Sequence, residues 1–99
     1  MQRFVDELKK HKGLSLNMAL RLVNICGEMV KAGTTGDPGR KAVTERLHGY
    51  TEALEDTGTL PWREALELPR ILSELADKAV KDGVTGNESV NIDINDFKK

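Results

Sequence analysis

"LNMALRLVNICGEMVKA", residues 16–32, decides the fold of this chain. Apolar residues recur here at spacings of three and four, which is typical of a helix that buries one stripe. Ser15 comes directly before the stretch and is a favourable N-cap residue. The pattern predicts a helix over 16–32 whose buried stripe comprises Met18, Ala19, Leu22, Ile25, Cys26, Met29 and Val30. Within it, we interpret Gly27 as a point where another helix packs closely.

The rest of the chain up to residue 82 predicts further helices. Residues 2–12 form a short amphipathic helix that Gly13 would end, and residues 40–56 form another with a regular apolar stripe. Pro69 falls inside the next apolar stripe, where proline removes a hydrogen bond and clashes with the preceding turn. We therefore expect two helices there, over 61–67 and from near Pro69 to 82.

Two stretches with nearly the same sequence close predicted helices. "VKAGTTGD", residues 30–37, is echoed by "VKDGVTGN", residues 80–87. Either an internal duplication or independent use of the same helix-ending residues produces such an echo, and shared capping chemistry accounts for much of it. Two copies are too few to predict a repeat protein.

The C-terminal stretch changes period. "SVNIDINDF", residues 89–97, alternates apolar and polar side chains, the pattern of a strand with one apolar face. No other segment has this pattern, so a partner strand within the chain is not evident. We expect a helical domain over 1–86 and an extended or β-like tail over 87–99, which would be disordered, lie along the helices or pair with another chain.

Composition limits the classes of protein that this chain can belong to. Its 99 residues suffice for one domain, and the 38% apolar and 31% charged content favours a folded chain with one modest core. The formal net charge of −1 argues mildly against a protein devoted to nucleic acid. The single cysteine suggests a reducing compartment, and no apolar run approaches the roughly 20 residues that span a bilayer. We expect a cytoplasmic protein with no membrane segment.

Residues that carry chemistry are sparse. Gly33 and Gly39 are one residue too far apart for a phosphate-binding loop, and the Gly33–Gly36 turn lacks the flanking strands of a KH domain. Cys26 lies on an apolar face, where cysteine acts as a small hydrophobe. Neither histidine, His11 or His48, has an evident carboxylate beside it in the sequence. We therefore predict no catalytic residues, no metal site, no cofactor and no enzymatic activity.

Overall, the pattern predicts an all-α bundle of four to five short helices that interacts with other proteins. Small adaptors, inhibitors and assembly factors of bacteria and their viruses are similar in size and composition, and a bundle this small favours a homo-oligomer. Trp62 is the leading contact residue, because tryptophan is enriched at interface hot spots. The predicted partner-binding residues, which lie near Trp62 or in the tail, are Trp62, Glu64, Glu67, Val90, Ile92, Ile94 and Phe97.

A DNA-binding accessory or regulatory protein that uses the basic helix over 40–48 is the alternative. The helix over 40–56 begins with basic residues after a turn, as the recognition helix of a helix-turn-helix protein does. The turn before it is longer than in that motif. The residues that this alternative assigns to nucleic acid are Arg40, Lys41, Arg46 and His48.

Overall fold

The chain folds as an all-α bundle. A computed structural model describes residues 1–36, 38–86, 88, 90 and 92–97. This part of the chain contains no strand; it forms four α-helices and one 3-10 turn, namely α1 (Gln2–Leu8), α2 (Leu16–Thr35), α3 (Gly39–Asp56), α4 (Trp62–Lys81) and the turn Ile94–Phe97.

Helices α2, α3 and α4 contact one another pairwise, and α1 packs across α2 and α4. Each of the three long helices places leucines in the shared core, and Leu22, Leu47, Leu68 and Leu72 are fully buried. The radius of gyration, 12.8 Å, is that of a compact domain of this length. Among the described residues, no helix combines the length and the hydrophobicity that crossing a bilayer requires.

Helix α2 begins where its N-cap predicts and ends later than expected. The Ser15 hydroxyl accepts a hydrogen bond from the Met18 amide at 3.3 Å. The helix passes the predicted end at residue 32 and runs to Thr35, because the left-handed conformation that ends it occurs at Gly36, with φ of 68°. Gly33, in contrast, stays helical.

Helix α4 is one helix, so the predicted break before Pro69 is wrong. Pro69 is buried inside it. The proline costs about 3 kcal/mol of helix stability. Leu68 and Leu72 lie on either side of the proline and are fully buried on the same face, and each contributes roughly 1.5–3 kcal/mol by burial. Packing of the continuous stripe thus outweighs the local penalty.

Helix α1 is shorter than predicted, ending at Leu8 instead of residue 12. Phe4, Val5 and Leu8 fill its buried face. Past Leu8 the chain turns, and His11 is buried at 8% exposure. The contacts that hold His11, described below, are incompatible with an α-helix that continues into solvent.

The extended C-terminal tail is not confirmed. The side chains of Val90 and Ile92 pack against the core, and Phe97 is buried at 4% exposure. The Asp93 carboxylate accepts a hydrogen bond from the Asn95 amide at 2.9 Å, which favours the 3-10 turn over a strand. Five residues of the predicted tail, at positions 87, 89, 91, 98 and 99, lie outside the described residues.

The two echoed stretches end their helices at different points. Gly33 lies inside α2, whereas its counterpart Gly83 follows the end of α4 with φ of 81°. The two stretches are neighbours in space: the Thr34 hydroxyl oxygen lies 3.4 Å from the Val84 carbonyl oxygen. A Cβ atom at Gly33 would lie 2.8 Å from the side chain of Val80. The small residue therefore allows the two helix ends to pack closely.

Candidate functional site

Trp62 and Leu66 form an exposed apolar ridge at the start of α4. Trp62 is the first residue of the helix and is 62% exposed, and Leu66 is 68% exposed. A spacing of four residues places both side chains on one helix face. The Arg63 guanidinium carbon lies 5.6 Å from the centroid of the Trp62 ring, at cation–π distance. Large apolar side chains that remain this exposed mark candidate contact sites.

The ridge forms one wall of a groove between α3 and α4, with a volume of about 200 Å³. We call it the acidic groove; its lining residues are His48, Thr51, Glu52, Glu55, Trp62, Ala65 and Leu66. Glu52 and Glu55 are exposed, and neither has an ion-pair partner in the part of the chain that the structure describes. The groove thus combines an apolar wall with two uncompensated carboxylates.

A second and larger groove lies on the other side of α3, between α2 and α3, with a volume of about 500 Å³. We call it the arginine groove; its lining residues are Arg21, Asn24, Ile25, Arg46, Gly49, Tyr50 and Ala53. Two arginines and no carboxylate line it. The two grooves therefore flank one helix, and the charged side chains in their linings are of opposite sign.

The acidic residues predicted to accompany Trp62 are not all beside it. Glu67 is exposed and follows Leu66 directly. Glu64 points to another neighbour: its carboxylate lies 2.5 Å from the Nδ1 atom of His11. The structure therefore places Glu64 at the junction of α1 and α4, away from the acidic groove.

The tail residues of the predicted site divide into two groups. Val90 and Ile92 are half-buried against the core and Phe97 is buried, so these three side chains stabilise the monomer. Ile94 is 64% exposed. Of the predicted tail contacts, Ile94 alone is available without detachment of the segment.

A carboxylate pair beside His11 was missed in the sequence. The Nε2 atom of His11 lies 3.4 Å from the Glu7 carboxylate, and Glu64 holds Nδ1. Glu7 precedes His11 by four residues, which was a usable signal, whereas Glu64 is 53 residues away. The cluster ties the turn after α1 to α4. Within the described ranges, no group of three or more His, Cys, Asp or Glu residues could hold a metal ion.

The residues of the nucleic-acid alternative do not share one surface. The Arg40 guanidinium contacts Asp77 of α4 at 2.9 Å, and that of Arg46 contacts Glu28 of α2 at 3.1 Å. His48 lines the acidic groove, and Lys41 is exposed. Two of the four side chains thus have carboxylate partners on neighbouring helices. Nucleic-acid binding stays a prediction.

Cys26 is buried in the core with no exposed surface. Burial raises the pKa of its thiol to about 12, because the thiolate would lose its hydration. A thiol with this pKa is not a nucleophile near neutral pH.

Leu66 was also missed in the sequence. It lies off the buried stripe of α4 that includes Leu68 and Leu72 and is spaced four residues after Trp62. A leucine on the polar face of an amphipathic helix, one turn from an exposed tryptophan, is the signal that could have identified it.

Comparison with known proteins identifies no relative: no protein-family model, curated protein or solved structure matches this chain. Functional inference therefore rests on the surface chemistry of the grooves.

Proposed function

We propose that this chain is a non-enzymatic protein-interaction module that binds its partner through the acidic groove. One observation carries the proposal: Trp62 and Leu66 form an exposed apolar ridge beside two carboxylates that have no ion-pair partner among the described residues. An aromatic anchor with a polar rim is the usual anatomy of an interface hot spot.

The charge of the groove specifies the chemistry of the partner. Glu52 and Glu55 favour a surface that carries lysine or arginine next to apolar side chains. Trp62 and Leu66 supply the apolar contact, and desolvation of the carboxylates is offset only when cations face them. The proposed partner surface is therefore apolar at its centre and basic at its rim.

Site-specific photo-crosslinking in the source cell tests the proposal. A photoreactive amino acid replaces Leu66 in one variant and Leu20 in a matched control, because Leu20 is also an exposed helical leucine, at 41% exposure, but lies outside the groove. We expect a protein adduct from position 66 and none from position 20. The crosslinked partner segment should contain lysine or arginine, and Glu52→Gln with Glu55→Gln should reduce the adduct. Equal crosslinking from both positions would contradict the proposal.

The tail is a second proposed contact, through Ile94. Ile94→Ser changes an exposed side chain and leaves the buried Phe97 in place, unlike a truncation at Gly86. If the tail contributes to the contact, Ile94→Ser reduces the yield of the adduct formed from position 66. If Ile94→Ser leaves the adduct yield unchanged, the acidic groove accounts for the contact by itself.

A further inference from the structure

We propose that the arginine groove is a second binding site, and that its occupant is the Trp62–Leu66 ridge of another copy of this chain. The inference rests on the proposed function, since it names the surface that the acidic groove binds. Copies would associate head to tail, the acidic groove of one facing the arginine groove of the next.

The arginine groove offers an apolar floor with basic edges. Ile25 is 7% exposed, Tyr50 is half-buried, and the groove volume of about 500 Å³ is large enough for an aromatic side chain. Arg21 is exposed and has no ion-pair partner in the described segments, and the Tyr50 hydroxyl has no hydrogen bond there. The groove thus holds a free cation and a free hydroxyl beside apolar surface.

Gly49 contributes to the shape of this groove. It lies in the middle of α3, where glycine costs about 1 kcal/mol relative to alanine. A Cβ atom at Gly49 would meet nothing within 4 Å, and its φ is not positive. Neither close packing nor backbone geometry requires this glycine. Gly49 lines the groove, and the missing side chain leaves room there for that of an occupant.

The two surfaces are complementary in charge and shape. Arg46 pairs with Glu28, and Arg63 stacks on Trp62, so the complementary charges are those without an ion-pair partner among the described residues. These are Arg21 in the arginine groove and Glu52 and Glu55 in the acidic groove. The protruding Trp62 ring of one copy would enter the recess at Gly49 of the next copy. Opposite charge across an apolar centre steers association and fixes its register.

The position of both grooves on α3 sets the kind of assembly. Because they lie on opposite sides of one helix, a copy can donate its ridge and accept another at the same time. A contact between two different surfaces is heterologous, and it generates a ring or an open chain of copies instead of a twofold dimer.

The emission of Trp62 provides a direct test, because it is the only tryptophan in the chain. We expect the emission of the wild-type protein to shift to shorter wavelength as its concentration rises from micromolar to millimolar, together with an increase in mass by light scattering. Salt should oppose both changes. A wild-type protein that stays monomeric with unshifted emission over this range would overturn the inference.

Two variants separate a head-to-tail contact from a twofold one. Trp62→Ala removes the ridge and keeps the arginine groove. Gly49→Leu fills the groove and keeps the ridge, and it should fold because the site is open and leucine is a good helix former. Each variant alone should self-associate about 30-fold more weakly than wild type, as expected for loss of a hot spot.

Mixing the two variants should restore one contact. Trp62 of the Gly49→Leu variant then enters the intact arginine groove of the Trp62→Ala variant. Because the Trp62→Ala variant has no tryptophan, any blue shift on mixing reports this heterologous contact. The complex should stop at two chains. Arg21→Glu in the Trp62→Ala partner should abolish the shift. A twofold contact between ridges predicts no recovery on mixing, which would overturn the inference.

The failure of this inference differs from failure of the proposed function. If the wild-type protein is monomeric but position 66 crosslinks to a different basic protein, the acidic groove binds that protein and self-assembly is wrong. A small anionic ligand in the arginine groove would leave the wild-type protein monomeric and Trp62 unshifted, which also overturns the inference.

Discussion

The helical core and the C-terminal segment are held in place by different physics. In the core, Leu22, Leu47, Leu68 and Leu72 from three helices exclude water completely. We define the C-terminal segment as the described residues from Val84 to Phe97. It is held by the buried side chain of Phe97 and by close approach of its backbone to α2. The carbonyl oxygen of Gly86 would lie only 3.2 Å from a Cβ atom placed on Gly27 of α2.

This difference predicts two levels of stability. Burial of several large side chains in a shared core makes unfolding of the helices cooperative. A segment fastened by few buried side chains and exposed hydrogen bonds opens locally at lower free energy. Mutations in the core should therefore change global unfolding, whereas mutations in the segment should change local opening first.

The largest expected effect is in the core. Leu72→Ala should lower the free energy of unfolding by about 2–5 kcal/mol, because it removes a fully buried side chain and leaves a cavity. Leu20→Ala is the control, since Leu20 is 41% exposed, and its effect should be within about 0.5 kcal/mol. Urea unfolding followed by circular dichroism measures both.

Cys26 gives an independent readout of the same variants. Because its thiol is buried and its pKa is raised to about 12, a thiol reagent at neutral pH should react only after unfolding. The raised pKa means that stability from this group is complete below the unfolded value of roughly 8.5 and is lost as pH rises towards about 12. Fast labelling of the native wild-type protein would contradict the burial of the core.

The second effect concerns the C-terminal segment. Gly86→Ala should open this segment, because Gly86 has φ of 89° and a Cβ atom there would lie 2.6 Å from the Gly27 carbonyl oxygen. Gly83→Ala is a matched control with φ of 81° and nothing within 4 Å, so it carries only the conformational cost of about 1–2 kcal/mol.

Amide hydrogen exchange distinguishes the two variants. Exchange at the Asp96 amide, which donates to the Asp93 carbonyl at 2.9 Å, and at the Phe97 amide should accelerate more in Gly86→Ala than in Gly83→Ala, while exchange in α2 and α3 changes less. Equal acceleration in the two variants would mean that close approach to α2 does not hold the segment.

The contrast between the two regions also explains what sequence could predict. Local signals located the helices well: the apolar stripe predicted α2, and the Ser15 cap is confirmed. The break at Pro69 was wrong because a local penalty was weighed without the packing of Leu68 and Leu72 against other helices. The extended tail is not confirmed for a similar reason, since alternation cannot reveal that Phe97 is buried at the end of a 3-10 turn.

Contacts between distant residues were beyond local patterns. Glu64 meets His11 across 53 residues, and no periodicity reports such a pair. Of the two ridge residues, the sequence predicted Trp62 from its residue type. Leu66 was not predicted, because the signal for it is a leucine on the polar face of α4. The opposite charge of the two grooves depends on how α2, α3 and α4 are arranged around one another, so it emerges only from the fold.

A smaller effect compares two helical glycines. Gly49→Ala should raise the free energy of unfolding by about 0.5–1 kcal/mol, because alanine favours the helix and the site is open. Gly27→Ala has the same propensity gain, but its Cβ would lie 3.2 Å from the Gly86 carbonyl oxygen. We therefore expect a smaller gain or a loss at Gly27. Thermal unfolding measures both, and equal gains would show that Gly27 is not needed for the C-terminal segment.

The smallest effect is electrostatic and confined to the C-terminal segment. The Glu88 carboxylate accepts hydrogen bonds from the Thr85 amide at 3.0 Å, the Thr85 hydroxyl at 3.1 Å and the Gly86 amide at 2.9 Å. These hydrogen bonds lower the pKa of Glu88 to about 2, and the bond from the Thr85 amide has the largest effect. Because the pKa of Glu88 is lower in the folded state, its contribution to the stability of the C-terminal segment is complete above the unfolded pKa of roughly 4.3. This contribution is lost as the pH falls towards about 2.

Titration of the Glu88 side-chain carboxyl by carbon NMR should give a midpoint near 2. Over the same acid range, exchange at the Asp96 and Phe97 amides should show increasing local opening. Glu88→Gln has no titrating group at this position, so its segment should open slightly more than wild type near neutral pH and should lose this pH dependence. If both proteins open in parallel as the pH falls, other carboxylates control the segment, and backbone approach at Gly27 holds it without help from Glu88.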